Sequence, residues 1–224
     1  MADRRSRSVS SRKQPQQARS SGLVAAILDA AVQVLAKEGA QRFTTARVAE
    51  RAGVSVGSLY QYFPNKEALL FRLQLDEWEA TGQLLAGCFG ERDRPPVERL
   101  RRAIVEFFRT EAEEAALRRA LDDASALYRG SDEARAQRGK VLQLAETFFR
   151  EALPRRAPSE VAFAAEFFML SMGAIAEKVT EYGLDRDALL RWTHATADLL
   201  CAHLERLQQP RAQARPRPTT AGRA

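Results

Sequence analysis

The chain has 224 residues, of which 45% are hydrophobic, and a mean hydropathy of −0.37, values typical of a soluble globular protein of one or two domains. It contains no apolar run near the roughly 18 residues of a membrane span, and its N-terminus lacks the apolar segment of a signal peptide. Two distant cysteines, Cys88 and Cys201, exclude a disulfide framework, so we expect a cytoplasmic protein that contacts no membrane.

The net charge of +6 is unevenly distributed along the chain. Residues 1–75 hold 12 Lys/Arg and 5 Asp/Glu, residues 76–207 hold 19 and 24, and residues 208–224 hold 4 and none. A basic front on an acidic body indicates that the front contacts a polyanion. The alternative is that basic tails merely add solubility, because residues 21–75 alone hold only 6 basic against 4 acidic side chains.

The residues between the two chain ends have a helical pattern throughout. Apolar residues recur at three- and four-residue steps, and no stretch alternates as a strand would. We predict an all-α fold of about nine helices between a disordered basic tail (1–20) and a disordered Pro/Arg tail (208–224). The predicted helices span roughly 21–37, 46–52, 56–63, 66–85, 95–109, 111–128, 132–153, 159–182 and 185–207.

The second and third predicted helices form a helix-turn-helix pattern. Both are short, and the turn between them begins at Gly53. On a helical wheel of about 100° per residue, Leu59 and Phe63 share one side and would anchor the third helix to a small core. In such units this helix enters the major groove of DNA.

The opposite side of the third helix has residue types suited to DNA. Gly57 and Ser58 are small enough for close backbone approach, and Gln61 can both donate to and accept from a base. Tyr60 and Tyr62 lie on the two flanks, where their hydroxyls could reach phosphates. The alternative for the tyrosines is that both are half-buried spacers of the core.

Two helix starts nearby have the features of anion sites. Lys66 begins the fourth helix, where it would join free backbone N–H groups around a phosphate. Thr44 and Thr45 begin the second helix, with Arg47 just inside its first turn. One threonine is expected to act as the helix cap, which leaves the other for a phosphate contact.

Residues from about 23 to 70, and above all FTTARVAERAGVSVGSLYQYFPNKEALL, resemble the N-terminal domain of the tetracycline-repressor (TetR) family of bacterial transcription regulators. The resemblance implies a homodimer on a roughly palindromic operator, with a larger C-terminal domain that binds a small ligand. We place the DNA-binding domain at 21–67 and the helical regulatory and dimerisation domain at 68–207. The helical wheel places Val56 toward the core side of the third helix, although the resemblance implies a DNA contact for it. The contacts implied are at Thr44, Thr45, Val56, Gly57, Ser58, Tyr60, Gln61, Tyr62 and Lys66.

The back half contains no recognisable catalytic or metal motif. His194 and His203 lack metal-ligand spacing, and no nucleophile–base arrangement is evident. We therefore expect no enzyme activity, no metal and no cofactor.

Residues 161–179 are apolar around nearly the whole helix, so this helix needs partners on several sides. The resemblance implies that the last two helices form the dimer interface; the alternative is a helix buried within one subunit. The interface residues predicted are Ala165, Met169, Gly173, Leu189, Trp192, Thr196 and Leu200.

An effector pocket, if present, should lie among the helices between residues 76 and 182 and be mostly apolar. Aromatic and Met residues at helical spacing are more often core than pocket, which is the competing interpretation. The pocket residues predicted are Trp78, Phe107, Phe108, Tyr128, Phe148, Phe149, Phe168 and Met172.

These features favour a dimeric repressor that binds double-stranded operator DNA and is released by an unidentified small, mostly apolar molecule. Two alternatives remain at this point. The first is a DNA-binding regulator without a ligand, or an activator; the second is a helical enzyme or carrier whose front helices are only structural.

Overall fold

The computed structural model describes residues 18–127 and 130–210. Those residues form nine α-helices and no strand, with a short 3-10 helix at Ser125–Leu127, which confirms the all-α prediction. The helices are α1 (Ala18–Arg42), α2 (Thr45–Ala52), α3 (Val56–Tyr62), α4 (Lys66–Gly90), α5 (Pro96–Glu113), α6 (Ala115–Ala124), α7 (Asp132–Ala152), α8 (Pro158–Glu181) and α9 (Arg186–Gln208).

Helix starts and interruptions follow local sequence signals. Asn65 caps α4, with its Oδ1 accepting from the Ala68 N–H at 2.7 Å, and Asp185 caps α9 in the same way from Ala188. Gly39 has a φ of 74° and kinks α1 at the residue where the sequence predicts its end. A few further helical residues follow the kink, so α1 extends to Arg42.

The first three helices enclose a small core that extends into the body. Leu59 of α3 and Phe63, which caps the end of α3, are buried with Ile27 of α1 and Val48 of α2. The same apolar cluster contains Leu121 of α6, and α1 packs against α6. The head domain therefore rests on α6 as well as on the start of α4.

The second core joins α4, α5, α7, α8 and α9. Its aromatic side chains stack, with the Phe89 and Phe148 ring centroids 4.2 Å apart. Arg99 is also fully buried here: its Nη1 donates to the Phe89 carbonyl at 2.8 Å and its Nη2 pairs with Glu151. These contacts pair a charge that would otherwise be costly in an apolar interior, and they leave only the buried Nε of Arg99 without a hydrogen-bond partner.

The two tails predicted to be disordered lie almost entirely outside the described residues. Residues 1–17 and 211–224 are not described, while α1 already begins at Ala18. The domain boundary predicted at 67/68 falls in the first turn of α4, which belongs to both cores, and it stays a prediction.

Candidate nucleic-acid interface

A left-handed glycine sets the turn between α2 and α3. Gly53 has a φ of 68°, a conformation that favours glycine. Its N–H donates to the Glu50 carbonyl at 3.2 Å, and the Val54 N–H donates to Ala49 at 3.0 Å. Ser55 then caps α3 by accepting from the Ser58 N–H at 3.0 Å. The turn is therefore tight and joined to both helices by hydrogen bonds, which hold α3 at a defined angle to α2.

The orientation of α3 agrees with the helical wheel. Leu59 and Phe63 are buried, at 0% and 1% exposure, whereas Gln61 is exposed. Tyr60 is 43% exposed, and Tyr62 is half-buried against the head core. Gln61 therefore lies on the solvent side of α3, while the opposite side of α3 packs against the head core.

Two residues of α3 are placed differently from the wheel. Val56, expected to lean inward, is 39% exposed because it begins the helix, beyond the reach of the core below Leu59. Ser58, expected to face outward, is half-buried, and its Oγ lies 2.8 Å from the Ser55 Oγ. We define the recognition face by its four exposed residues, Val56, Gly57, Tyr60 and Gln61.

The two threonines at the start of α2 have different roles. Thr44 is exposed and caps the helix, with its Oγ1 accepting from the Arg47 N–H at 3.3 Å. Thr45 is buried, and its Oγ1 lies 3.1 Å from the Tyr60 hydroxyl. Arg47 pairs with Glu38 and donates to the Arg42 carbonyl at 3.2 Å. Thr44, which caps the helix, is thus the threonine whose hydroxyl is accessible to a phosphate, whereas Thr45 is not.

Lys66 is exposed at the first position of α4, directly after the cap residue Asn65. The start of a helix has backbone N–H groups without intrahelical partners and a partial positive charge. The recognition face, Thr44 and Lys66 together offer hydrogen-bond donors and a cation to an anionic partner. This arrangement is suited to contacting a nucleic-acid backbone and its base edges.

The predicted dimer residues divide between the interior and the surface. Ala165, Thr196 and Leu200 are buried inside the chain, so they have no surface to offer a second subunit. Met169, Gly173 and Leu189 are half-buried, and only Trp192 is largely exposed. The large apolar residues exposed on α8 and α9 also include Phe163, Phe167, Leu170, Leu190 and Leu199.

The predicted pocket residues are mostly core. The second core buries six of them: Phe107, Phe108, Phe148, Phe149, Phe168 and Met172. Tyr128 lies outside the described residues. Of the seven predicted residues that the structure describes, Trp78 alone lines the cavity between α4, α5, α6 and α8.

A cavity of about 360 Å³ lies between α4, α5, α6 and α8. Its lining differs from the apolar one expected, because it contains six carboxylate side chains and two arginines. We call it the acidic cavity, lined by Gln74, Glu77, Trp78, Glu111, Ala115, Arg118, Arg119, Asp122, Asp123, Gly173, Glu177, Thr180 and Glu181.

Buried charges meet at one side of the acidic cavity. Arg118 pairs with Glu77, with Glu111 and, at 3.1 Å, with Glu114. Burial raises the pKa of Glu77 to about 7, an effect that Arg118 only partly offsets. Burial likewise raises the pKa of Glu111. Sequence spacing could not reveal this network, because its members come from three segments of the chain.

Neither cysteine nor histidine forms a further site in the structure. Cys88 and Cys201 are buried free thiols. Within residues 18–127 and 130–210, no group of three metal-ligating side chains is close enough to hold an ion. One described helix, α8, is long and apolar enough to cross a membrane by composition, and only 33% of its most apolar window is buried.

A helix-turn-helix head on a larger helical body defines a DNA-binding regulator. Residues 27–73 match the family model for bacterial regulatory proteins of the tetR family, and residues 95–207 match the tetracyclin repressor-like C-terminal domain. The second match alone covers half of the chain. The protein therefore belongs to the TetR family of bacterial transcription regulators.

Two curated relatives show how far the similarity extends. The chain is 31% identical over 134 residues to the HTH-type transcriptional repressor KstR of Rhodococcus jostii (strain RHA1), a match that covers 60% of this chain and 61% of that protein. It is 45% identical over 47 residues to the fatty acid metabolism regulator protein of Bacillus subtilis (strain 168), covering 21% and 24%. The chain thus matches less than two thirds of the length of either relative.

Solved structures share the fold over most of the chain. The fatty acid degradation regulator FadR from Bacillus halodurans aligns with a TM-score of 0.64 at 21% identity, over 85% of this chain and 97% of that one. FadR from Bacillus subtilis, solved in complex with stearoyl-CoA, aligns with a TM-score of 0.64 at 21% identity, over 80% and 98%. At this identity the likeness establishes the common architecture.

Proposed function

We propose that the protein is a cytoplasmic homodimeric repressor that binds a roughly palindromic operator and is released by a small molecule. The single observation that carries the proposal is the orientation of α3. Leu59 and Phe63 fix this helix to the head core, while Gln61 projects from its exposed side. A polar side chain held outward on a rigid, short helix is suited to reading bases in a major groove.

The DNA contacts divide into base contacts and phosphate contacts. Gln61 reads a base, typically adenine, and Gly57 allows the backbone to approach. Tyr60, Thr44 and Lys66 contact phosphates, which position the head without selecting a sequence. Affinity should therefore fall steeply with salt, while sequence preference should depend on α3.

The dimer forms through the exposed apolar residues of α8 and α9. Phe163, Phe167 and Leu170 lie on successive turns of α8, and Trp192 and Leu199 lie two turns apart on α9. Large apolar side chains exposed together on two neighbouring helices are typical of an interaction site. A second copy of the chain would cover it, which also accounts for the apolar exterior of α8 without a membrane.

Release depends on α6, which contacts both the acidic cavity and the head. Arg118 and Asp122 of α6 line the cavity, while Leu121 of the same helix packs in the core shared with α1. α6 and α4 can each take more than one position relative to the body. A ligand that binds the protein more tightly in one of these conformations shifts the population toward that conformation. The two heads would then no longer match successive major grooves, about 34–36 Å apart.

The direct test is selection of fragments from the organism's own genome by the purified protein in excess competitor DNA. The proposal predicts a shared motif with two related half-sites, and tighter binding of it than of a shuffled sequence. Enrichment of no motif, or equal affinity for shuffled DNA, would contradict it.

A further inference from the structure

The acidic cavity indicates the chemical class of the effector. We propose that it binds an organic cation, a protonated amine or quaternary ammonium with an apolar body. This inference rests on the proposed function only in taking the cavity as the effector site; the binding itself is independent of DNA.

The cavity has the size and depth of a small-molecule site. Its volume of about 360 Å³ lies within the range of roughly 300–1,000 Å³ for ligand pockets. Glu77 and Glu111 are 9% and 8% exposed and lie at its buried side. The opening is formed by more exposed acidic residues, Asp122, Asp123, Glu177 and Glu181, of which Glu181 pairs with Lys178.

Negative charge exceeds positive charge at the buried side. The two buried carboxylates, Glu77 and Glu111, share the single guanidinium of Arg118 with the exposed Glu114. The Nε of Arg118 is buried without a hydrogen-bond partner, so even this arginine does not direct all its donors at the carboxylates. The other arginine of the lining, Arg119, donates from its Nε to the Ala115 carbonyl of its own helix at 3.1 Å.

A ligand cation would relieve this imbalance. Isolated buried carboxylates are costly and take up protons instead of remaining charged, which is why burial raises the pKa of both Glu77 and Glu111. A cation within about 4–6 Å favours the charged form of a carboxyl group. A ligand cation should therefore bind favourably to these carboxylates in a site with little water.

Apolar surface for the rest of the ligand is present beside the charges. Trp78 contributes an aromatic ring to the lining, and the guanidinium of Arg138 already lies over this ring, 5.5 Å from its centroid. Gly173 leaves open space, since a Cβ added there would meet no atom within 4 Å. An amine attached to an aromatic or branched apolar group would therefore fill the cavity from Glu77 to Gly173.

The same charges disfavour anions. Stearoyl-CoA, bound by a protein of the same fold, carries several phosphates that the six carboxylates of the lining would repel. The effector of this chain should therefore differ in charge from that ligand.

The test compares three probes of one shape by calorimetry: 3-phenylpropylamine, 3-phenylpropanol and 3-phenylpropionate, at pH 7.5. We expect the amine to bind about tenfold or more tightly than the alcohol, and the carboxylate to bind more weakly still. Equal affinity for amine and alcohol, tighter binding of the carboxylate, or no binding of the amine would overturn the inference.

Three variants locate the binding. Glu77→Gln, and separately Glu177→Gln at the exposed rim, should lower the affinity for the amine severalfold and leave the affinity for the alcohol unchanged. Gly173→Met should abolish binding of all probes by filling the space, and the helix should tolerate it because methionine is a better helix former than glycine. Thermal melting of each variant confirms folding. Amine affinity that survives all three variants would place the ligand elsewhere and refute the assignment.

DNA binding of the unliganded protein, measured in the same preparation, separates the two proposals. Amine selectivity without operator binding would refute the proposed repressor and leave the cation site standing. Operator binding without amine selectivity would refute only the cation site.

Discussion

The hydroxyl of Tyr60 lies 3.1 Å from the Oγ1 of Thr45, so a hydrogen bond joins the recognition helix α3 to the start of α2. Thr45 is buried, whereas Tyr60 keeps 43% of its surface exposed. The tyrosine thus has one edge attached to the protein while its ring remains accessible. A side chain held in this way loses little conformational entropy when it contacts DNA.

Tyr60→Phe should therefore weaken operator binding more than it weakens the fold. The variant leaves the buried Thr45 hydroxyl without this partner, at a net cost of about 0.5–1.5 kcal/mol in unfolding free energy. It also removes the phosphate contact and lets the ring move. Chemical denaturation and DNA titration measure the two effects. Tyr182→Phe, at an exposed tyrosine on the C-terminal side of α8, is the control and should change neither.

Gln61→Ala and Lys66→Ala should separate sequence preference from overall affinity. Loss of Gln61 should reduce discrimination at one base pair of each half-site by about 1–3 kcal/mol, whereas loss of Lys66 should weaken all DNA alike and lower the salt slope by about one. Titrations on operator and mutated operators at several salt concentrations measure both quantities. Lys140→Ala, an exposed lysine of α7, serves as the charge control. If the glutamine variant keeps full discrimination, Gln61 does not read a base.

Leu170→Glu should convert the dimer to a monomer. Leu170 is 70% exposed on α8, so the change should cost the fold of one chain little, while a charge in a dimer interface is strongly unfavourable. Analytical ultracentrifugation measures the oligomeric state. Operator affinity should fall when the dimer is lost, because each half-site is then bound by a separate monomer. Gln143→Glu, exposed on α7, adds the same charge and should stay dimeric. A dimer that survives Leu170→Glu would place the interface on another surface.

Stability should fall as pH rises through the range set by Glu77. Its ordinary pKa is 4.5 and its pKa in the folded protein is about 7. Between these values the folded state binds more protons than the unfolded state, so the unfolding free energy decreases as pH increases. The groups that face Glu77 are Arg118, Glu111 and Glu114. Denaturation curves at pH 5, 6, 7 and 8 measure the trend, and Glu77→Gln should reduce it; an unchanged pH dependence in that variant would contradict the assignment.

Arg118→Met should destabilise the body strongly, by about 3–5 kcal/mol, because it leaves buried carboxylates without their cation. The loss should be larger at pH 8 than at pH 6, since protonation of Glu77 relieves part of it at the lower pH. Arg119→Met is the matched control: this neighbour is exposed and bonds only to the Ala115 carbonyl of its own helix among the described contacts. Equal effects of the two variants would show that the Arg118 network contributes little.

The arrangement of the head was predictable because its information is local. Within the seven residues of α3, helical geometry places Gly57 and Gln61 opposite the buried Leu59. It does not predict the exposure of Val56 and Ser58, which lie in the first turn beside the cap residue Ser55. The Thr45–Tyr60 hydrogen bond was not predictable in the same way, because its partners lie 15 residues apart on different helices.

The back half was harder to predict for two physical reasons. α8 is apolar on nearly every side, so periodicity could not distinguish the buried Ala165 from the exposed Phe163. The Arg118–Glu111 and Arg118–Glu77 pairs depend on how α4, α5 and α6 meet, and charged residues on separate helices give no spacing signal. Aromatic residues, in turn, marked the core and not the cavity, with Trp78 as the exception.

The most direct test of the central claim is photo-crosslinking from the recognition face. A photoreactive group attached to Gln61→Cys should be selective, because Cys88 and Cys201 are buried. On a selected operator it should crosslink to bases at two positions about one helical turn of DNA, or a multiple of it, apart. The same group on Gln143→Cys should give none. Crosslinks absent from position 61, or equally strong from position 143, would contradict the claim that this side of α3 meets the bases.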